Sequence, residues 1–208
     1  VSGQFIVVEG LDGAGTTTLA NTLRARLEQN GVSVLLTREP SDLAVGRLIR
    51  EALTDSVGVS DGVLPFLFAA DRKDHLERQI EPELSSGNWV ISDRYLASSL
   101  AYQSLAVPFE SVAALNSSFR KPDLTLFVEA PAEVCVDRIS SRGEESERFE
   151  SLDRLKIVAQ AYDRALDWCI ARGEHIVRID GRPDADTVAE MAWAEIAKLI
   201  DDTKSSQA

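Results

Sequence analysis

The stretch Gly10-Leu11-Asp12-Gly13-Ala14-Gly15-Thr16-Thr17-Thr18 spaces its glycines as a phosphate-binding loop does. It follows an apolar run, Phe5-Ile6-Val7-Val8, and opens onto a helical pattern, Leu19-Ala20-Asn21-Thr22-Leu23. Strand, glycine-rich turn and helix together let backbone N–H groups curl around a polyphosphate at a positive helix terminus. The motif asks for glycine, four residues, glycine, lysine, then serine or threonine. Gly10, Gly15 and Thr17 fit, but Thr16 stands where the lysine belongs. Threonine donates a hydrogen bond and brings no charge. The loop therefore predicts a nucleotide phosphate and leaves open how transfer would be catalysed.

A second polar cluster falls where another strand should end. Trp89-Val90-Ile91-Ser92 runs into Asp93-Arg94-Tyr95, delivering a carboxylate and a guanidinium together. Beside a phosphate loop, such a carboxylate can hold Mg²⁺ through water, with the Thr17 hydroxyl as the loop's own ligand. The arginine can grip a phosphate through two parallel hydrogen bonds. Pairing of Asp93 and Arg94 with each other or with helix termini is the plainer alternative.

These positions need a scaffold, and the apolar pattern supplies one. Strand-length runs occur at Phe5 to Val8, Val32 to Leu36, Trp89 to Ile91, Leu124 to Val128 and Ile176 to Ile179. Helical patterns lie between and after them, near Thr17–Asn30, Leu43–Leu53, Val63–Leu84, Ala97–Phe119, Ala132–Arg142, Leu152–Ala171 and Asp184–Ile200. Strands alternating with helices predict an α/β fold: a five-stranded parallel sheet with helices on both faces, in three layers. Ligands then belong beyond the carboxyl ends of the strands. One domain over residues 1–208 is expected, with Asp201–Ala208, polar and small, as a frayed tail.

Composition narrows the partners. A net charge of −12 over 208 residues argues against a general nucleic-acid binder, whose affinity comes from a basic face. An acidic protein that binds anions must gather its arginines in one cleft. No apolar run approaches a membrane span, and Val1-Ser2-Gly3-Gln4 has neither the basic nor the apolar region of a leader. Cys135 and Cys169 form no metal-spaced pair, so two buried free thiols and a cytoplasmic location are expected.

Taken together, the chain resembles the thymidylate (dTMP) kinase family, of the bacterial type with arginines in its lid. The resemblance rests on Val8 to Gly15, Thr37-Arg38-Glu39-Pro40, Phe68-Ala69-Ala70-Asp71-Arg72, Asp93-Arg94-Tyr95, Ser98 to Gln103, and Arg120-Lys121-Pro122-Asp123-Leu124-Thr125. It implies a P-loop fold, ATP with Mg²⁺ as the phosphoryl donor, dTMP as the acceptor, and a homodimer. For ATP it implies Gly10, Asp12, Gly13, Ala14, Gly15, Thr16, Thr17, Thr18 and Arg138. For the metal it implies Thr17 and Asp93.

For dTMP, the resemblance implies that Phe68 stacks on the base while Arg72, Ser99 and Gln103 bond its edge. Phe66, off that face, is expected in the core or pocket wall. Tyr102 lies under the sugar, where it crowds a 2′-hydroxyl, and Asp12 accepts from the 3′-hydroxyl. Glu39, Pro40, Arg50 and Arg94 face the monophosphate, with Arg47 as a substitute for Arg50. Ser41-Asp42 replaces the two glycines usual after this proline and brings a negative charge there.

Asp93, Arg94, Arg142 and Arg148 are the catalytic candidates, the last two in a lid at about 142–150. A lid arginine taking over the missing lysine's role is one reading of Thr16. A slow enzyme and a nucleotide-binding regulator are the others, and a kinase for another deoxynucleoside or its monophosphate is a further alternative.

Overall fold

The computed structural model describes residues 3–54, 56–141 and 152–205. Five strands form one sheet: β1 (Phe5–Gly10), β2 (Val34–Arg38), β3 (Trp89–Asp93), β4 (Leu124–Glu129) and β5 (Ile176–Asp180). All neighbours pair in parallel, in the order β2-β3-β1-β4-β5. Every residue of the central strand β1 is buried, so both faces of the sheet are covered. That is why its sequence is a continuous apolar run instead of an alternating one.

Nine helices among the described residues cover the sheet: α1 (Thr16–Gln29), α2 (Ala44–Leu53), α3 (Leu64–His75), α4 (Glu81–Ser85), α5 (Leu96–Gln103), α6 (Phe109–Asn116), α7 (Ala132–Ser141), α8 (Leu152–Ala171) and α9 (Ala185–Ser205). A π-helical turn, Leu76–Ile80, joins α3 to α4, so the long helix expected near Val63–Leu84 is continuous but not uniformly α. Helix α1 packs on α9, while α5 packs on α8 and α6. Buried residues of α8 recur at Leu155, Val158, Tyr162, Ala165, Leu166 and Cys169, the stripe of a helix laid on a core. Cys135 and Cys169 are free and buried, and burial pushes the Cys135 thiol up to about 11.

Three expectations need correction. The helix expected over Ala97–Phe119 is two helices broken at residues 104–108. Pro108 lacks the N–H that would continue the ladder, and Ala106 and Val107 turn back onto the Gln103 carbonyl. The second strand begins at Val34, not Val32, because Val32 donates its N–H to Leu27 as it leaves α1. Helix α9 runs on to Ser205, into the stretch expected to fray.

One close approach shapes the loop after β2. A Cβ on Gly46, in α2, would stand 2.0 Å from the Ser41 carbonyl oxygen. Alanine elsewhere in a helix gains ~1 kcal/mol over glycine. Here overpacking, at ~1–3 kcal/mol, should outweigh it. Gly46→Ala is expected to lower the thermal midpoint by a few degrees, and a raised midpoint would show that the Ser41 loop yields freely.

Candidate functional site

The phosphate loop runs from the end of β1 into the start of α1. Gly13 (φ 82°) and Gly15 (φ 101°) take left-handed conformations that side chains resist. Crowding adds a second reason at Gly13, where a Cβ would meet the Cys135 carbonyl oxygen of α7 at 2.5 Å. Thr16 is the first residue of α1 and is buried; Thr17 and Thr18 are exposed. Arg138, from α7, donates to the Ala14 carbonyl at 3.2 Å and to the Arg182 and Pro183 carbonyls after β5. It is joined to the loop through backbone oxygens.

Parallel pairing of β1 with β3 brings Asp93 and Arg94 to the same rim. The Thr17 hydroxyl donates to Asp93 Oδ2 at 2.5 Å, and Asp93 Oδ1 is buried with no hydrogen-bond partner. A hydroxyl beside an unsatisfied carboxylate oxygen, at the mouth of a phosphate loop, has the oxygen chemistry that Mg²⁺ and its water shell require. No group of three or more His, Cys, Asp or Glu among the described residues forms a metal cage.

Arg94 does not pair with its neighbour Asp93. Its Nη2 donates to Asp12 in the phosphate loop at 2.6 Å, while Nη1 donates to Tyr162 Oη at 3.1 Å and Ser98 Oγ at 3.3 Å. Tyr102 donates from Oη to the other Asp12 oxygen at 2.8 Å. Asp12, Arg94 and Tyr102 are thus one cluster. Arg94 is also the one non-glycine residue with positive φ (72°) among the described residues. Such a conformation costs ~1–3 kcal/mol and persists only where its surroundings impose it.

Two of the base-edge candidates, Arg72 and Ser99, meet in a buried network. Arg72 is fully buried and sits at the centre of a polar network. Its guanidinium donates to Glu39 Oε2 from Nε (2.9 Å) and Nη2 (2.6 Å), to Ser99 Oγ (2.8 Å), to the Tyr95 carbonyl (3.0 Å), and to Asn116. His75 completes the network, lying 3.3 Å from Glu39 and 2.7 Å from the Thr37 hydroxyl. So Glu39 faces inward to Arg72, not outward to a phosphate. The Glu39-Pro40 bond is cis. Gln103 is buried, and its Oε1 has no partner. Phe68 is half-buried on α3. Phe66, expected in the core or pocket wall, is instead 61% exposed, because it points away from the face of α3 that carries Arg72 and His75.

Asp42 explains the departure after Pro40. It is exposed, and its Oδ1 accepts from Arg38 (2.8 Å) and Arg50 (3.0 Å), while Arg47 bonds its carbonyl. The hydrogen bond from Arg38 holds its carboxyl below the ordinary range, against slight burial, with the charges of Arg38, Arg50 and Arg47 adding to the effect. Arg50 also donates to the Pro40 carbonyl. Arg142 and Arg148, with the expected lid, lie outside the described residues.

Sequence reading missed Glu9, Ser98, Tyr162, Asn116 and His75. Glu9 carried a signal: a carboxylate closing an apolar strand beside the glycine loop. Tyr162 carried none, because it falls in register with the core positions of α8.

Removing one partner of a buried ion pair leaves the other uncompensated, at a cost of ~3–5 kcal/mol. Arg72→Met should therefore lose stability on that scale in urea denaturation, and adding Glu39→Gln should restore part of it. A single-variant loss below ~1 kcal/mol would mean that water reaches Glu39.

The family model described as thymidylate kinase matches residues 8–191. A probable thymidylate kinase of Thermococcus kodakarensis is 41% identical, covering 95% of this chain and 98% of the relative. A probable thymidylate kinase of Pyrococcus abyssi is 40% identical, covering 77% of this chain and 81% of the relative. The thymidylate kinase of Xanthomonas campestris is 38% identical over 96% of this chain and 86% of its own. With its phosphate loop, its Asp93-Arg94 rim and these likenesses, the chain belongs to the thymidylate kinase family.

Proposed function

We propose that this chain transfers the γ-phosphoryl group of ATP to dTMP, giving dTDP and ADP. The observation that carries the reading is the meeting of two motifs far apart in sequence: Asp93 on Thr17, and Arg94 on Asp12. Donor and acceptor phosphates are then held at one rim. The acceptor is already an ionised phosphate, so no strong base is needed, and the protein's work is alignment and charge neutralisation. Thr17 and Asp93 would hold Mg²⁺, which neutralises charge on the donor phosphates when bound. Arg94 would orient the acceptor phosphate.

Gln103 supports a thymine-type base. Its Oε1 is an unused buried acceptor, which matches the N3–H of thymine or uracil and not the bare N3 of cytosine. Phe68 would stack on the ring, Ser99 would help to define the edge, and Tyr102 would lie against the sugar. For Arg72 to bond the base directly, a base carbonyl must join or replace one of its internal acceptors.

Thr16 favours a second reading, a nucleotide binder with little turnover. Losing one preorganised donor from a transition state commonly costs ~10²–10³ in rate. Compensation by Arg142 or Arg148 would restore turnover. An ADP-release assay with dTMP, dUMP, dCMP and AMP separates the readings. Turnover highest with dTMP, and changed less than about tenfold by Thr16→Lys, supports a compensated kinase. Turnover that appears only in Thr16→Lys, about 10²-fold above the parent, would sink it.

We propose further that the chain is a homodimer. Leu48 and Leu53 on α2, and Val63 and Phe66 at the start of α3, are large apolar side chains left exposed on two helices that pack together. Sedimentation should report two copies in the parent and one in Phe66→Asp. A parent that sediments as a monomer would refute it. No helix among the described residues is long and apolar enough to cross a membrane.

A further inference from the structure

We propose that Glu9 and Tyr162, neither of which faces the expected ligands, form a buried positioning device that holds Arg94 in its acceptor-binding place. The inference rests on the reading of Arg94 as the arginine for the acceptor phosphate.

Arg94 has to be fixed twice, once in its backbone and once in its side chain. The backbone sits in the left-handed region, which an arginine leaves unless it is held. Its own N–H donates to the Val8 carbonyl at 2.9 Å, and its carbonyl accepts from Ser92 Oγ at 2.7 Å. On the far side of the turn, the next N–H, from Tyr95, donates to Glu9 Oε1 at 2.9 Å. The same carboxylate receives the Ser98 N–H at 3.1 Å and the Ser98 hydroxyl at 2.6 Å. Glu9 thus gathers the first turn of α5 and closes the bend that begins at Arg94.

The side chain is fixed from α8. Tyr162 Oη accepts from Arg94 Nη1 at 3.1 Å and lies within bonding distance of Glu9 Oε2 (3.1 Å), the Gly10 carbonyl (3.0 Å) and Ser98 Oγ (2.8 Å). Its ring is seated against Phe127 and edge-on to Tyr102. One hydroxyl therefore ties together the acceptor arginine, the entry to the phosphate loop and the carboxylate that closes the bend. Both Glu9 and Tyr162 are wholly buried. Burial pushes the Glu9 carboxyl up, against the hydrogen bond from Ser98 and the charge of Arg94. A carboxyl kept in such a place, with donors on both of its oxygens, suits a part that must not move.

Tyr162→Phe removes only the hydroxyl and keeps the ring packing. The expected result is a rise of about tenfold in the dissociation constant for dTMP, the scale of one hydrogen bond to a charged group, with ATP binding unchanged. In an Arg94→Met background the same substitution should change dTMP binding by less than twofold, because the group being positioned is gone. Glu9→Gln should behave in the same way where it folds; Tyr162→Phe carries the test where it does not. Equal losses in both backgrounds, an equal loss of ATP affinity, or no loss at all would overturn the proposal. The readout is calorimetric binding, so it is independent of turnover. Coupled dTMP binding without phosphoryl transfer would refute the kinase reading and leave this one standing. Failure of dTMP to bind the parent protein would refute both.

Discussion

Burying a carboxylate is costly unless donors surround it, and the site wall is built from carboxylates that meet this condition. Glu9, Glu39 and Asp71 are all buried. Glu9 collects the start of α5 and Tyr162; Glu39 collects Arg72 and His75; Asp71 collects the Ser41 N–H at 2.7 Å and its hydroxyl at 2.5 Å. Each joins segments distant in sequence, and each needs particular donors at particular places. Apolar packing holds the sheet and helices together but tolerates sliding. A satisfied buried ion does not, so the loops after β1, β2 and β3 are fixed with respect to one another before any nucleotide arrives.

That division explains what could be read from the sequence. The sheet was legible because its central strands are buried on both faces and appear as unbroken apolar runs. The phosphate loop was legible because Gly13 and Gly15 need conformations that other residues avoid, and the Asp93-Arg94 pair was legible because it closes such a run. The network was not. Nothing in the spacing of Glu39 and Arg72 shows that they meet inside the protein, since their contact depends on how the loop after β2 folds against α3. Tyr162 was hidden for the opposite reason: a large residue at a core position of α8 explains itself without its hydroxyl. The break before α6 was missed because the apolar pattern continues on both sides of Pro108.

The arginines around the expected phosphate sites are engaged by the protein's own oxygens. Arg94 is held by Asp12, Arg38 and Arg50 by Asp42, and Arg138 by three carbonyls. In a chain of net charge −12, unpaired guanidiniums in a cleft would attract any small anion. Internal partners set a threshold. A ligand must offer more charge, or better geometry, than a carboxylate already in place, and a phosphate dianion that accepts from several donors at once meets that requirement.

Thr16 belongs to the same electrostatic account. The lysine it replaces would place a mobile cation beside the β- and γ-phosphates, inside a loop whose backbone offers only neutral N–H donors. Among the described residues, Arg138 and Arg94 are cations bonded to this loop, and the bonds of Arg138 run to carbonyl oxygens that keep the Ala14 turn and the segment after β5 together. A guanidinium used in that way supports the shape of the loop; as placed, it bonds the backbone and not the phosphate side. Arg94 is charged and close, and Asp12 and Tyr162 hold its guanidinium in place. On the proposed reading, the described residues would bind both phosphates but would leave the charge that moves between them less fully met. On the same reading, the cation that completes the reaction would come from the arginines at 142 and 148 or from the metal, and the balance between those two sources would set how fast this family member turns over.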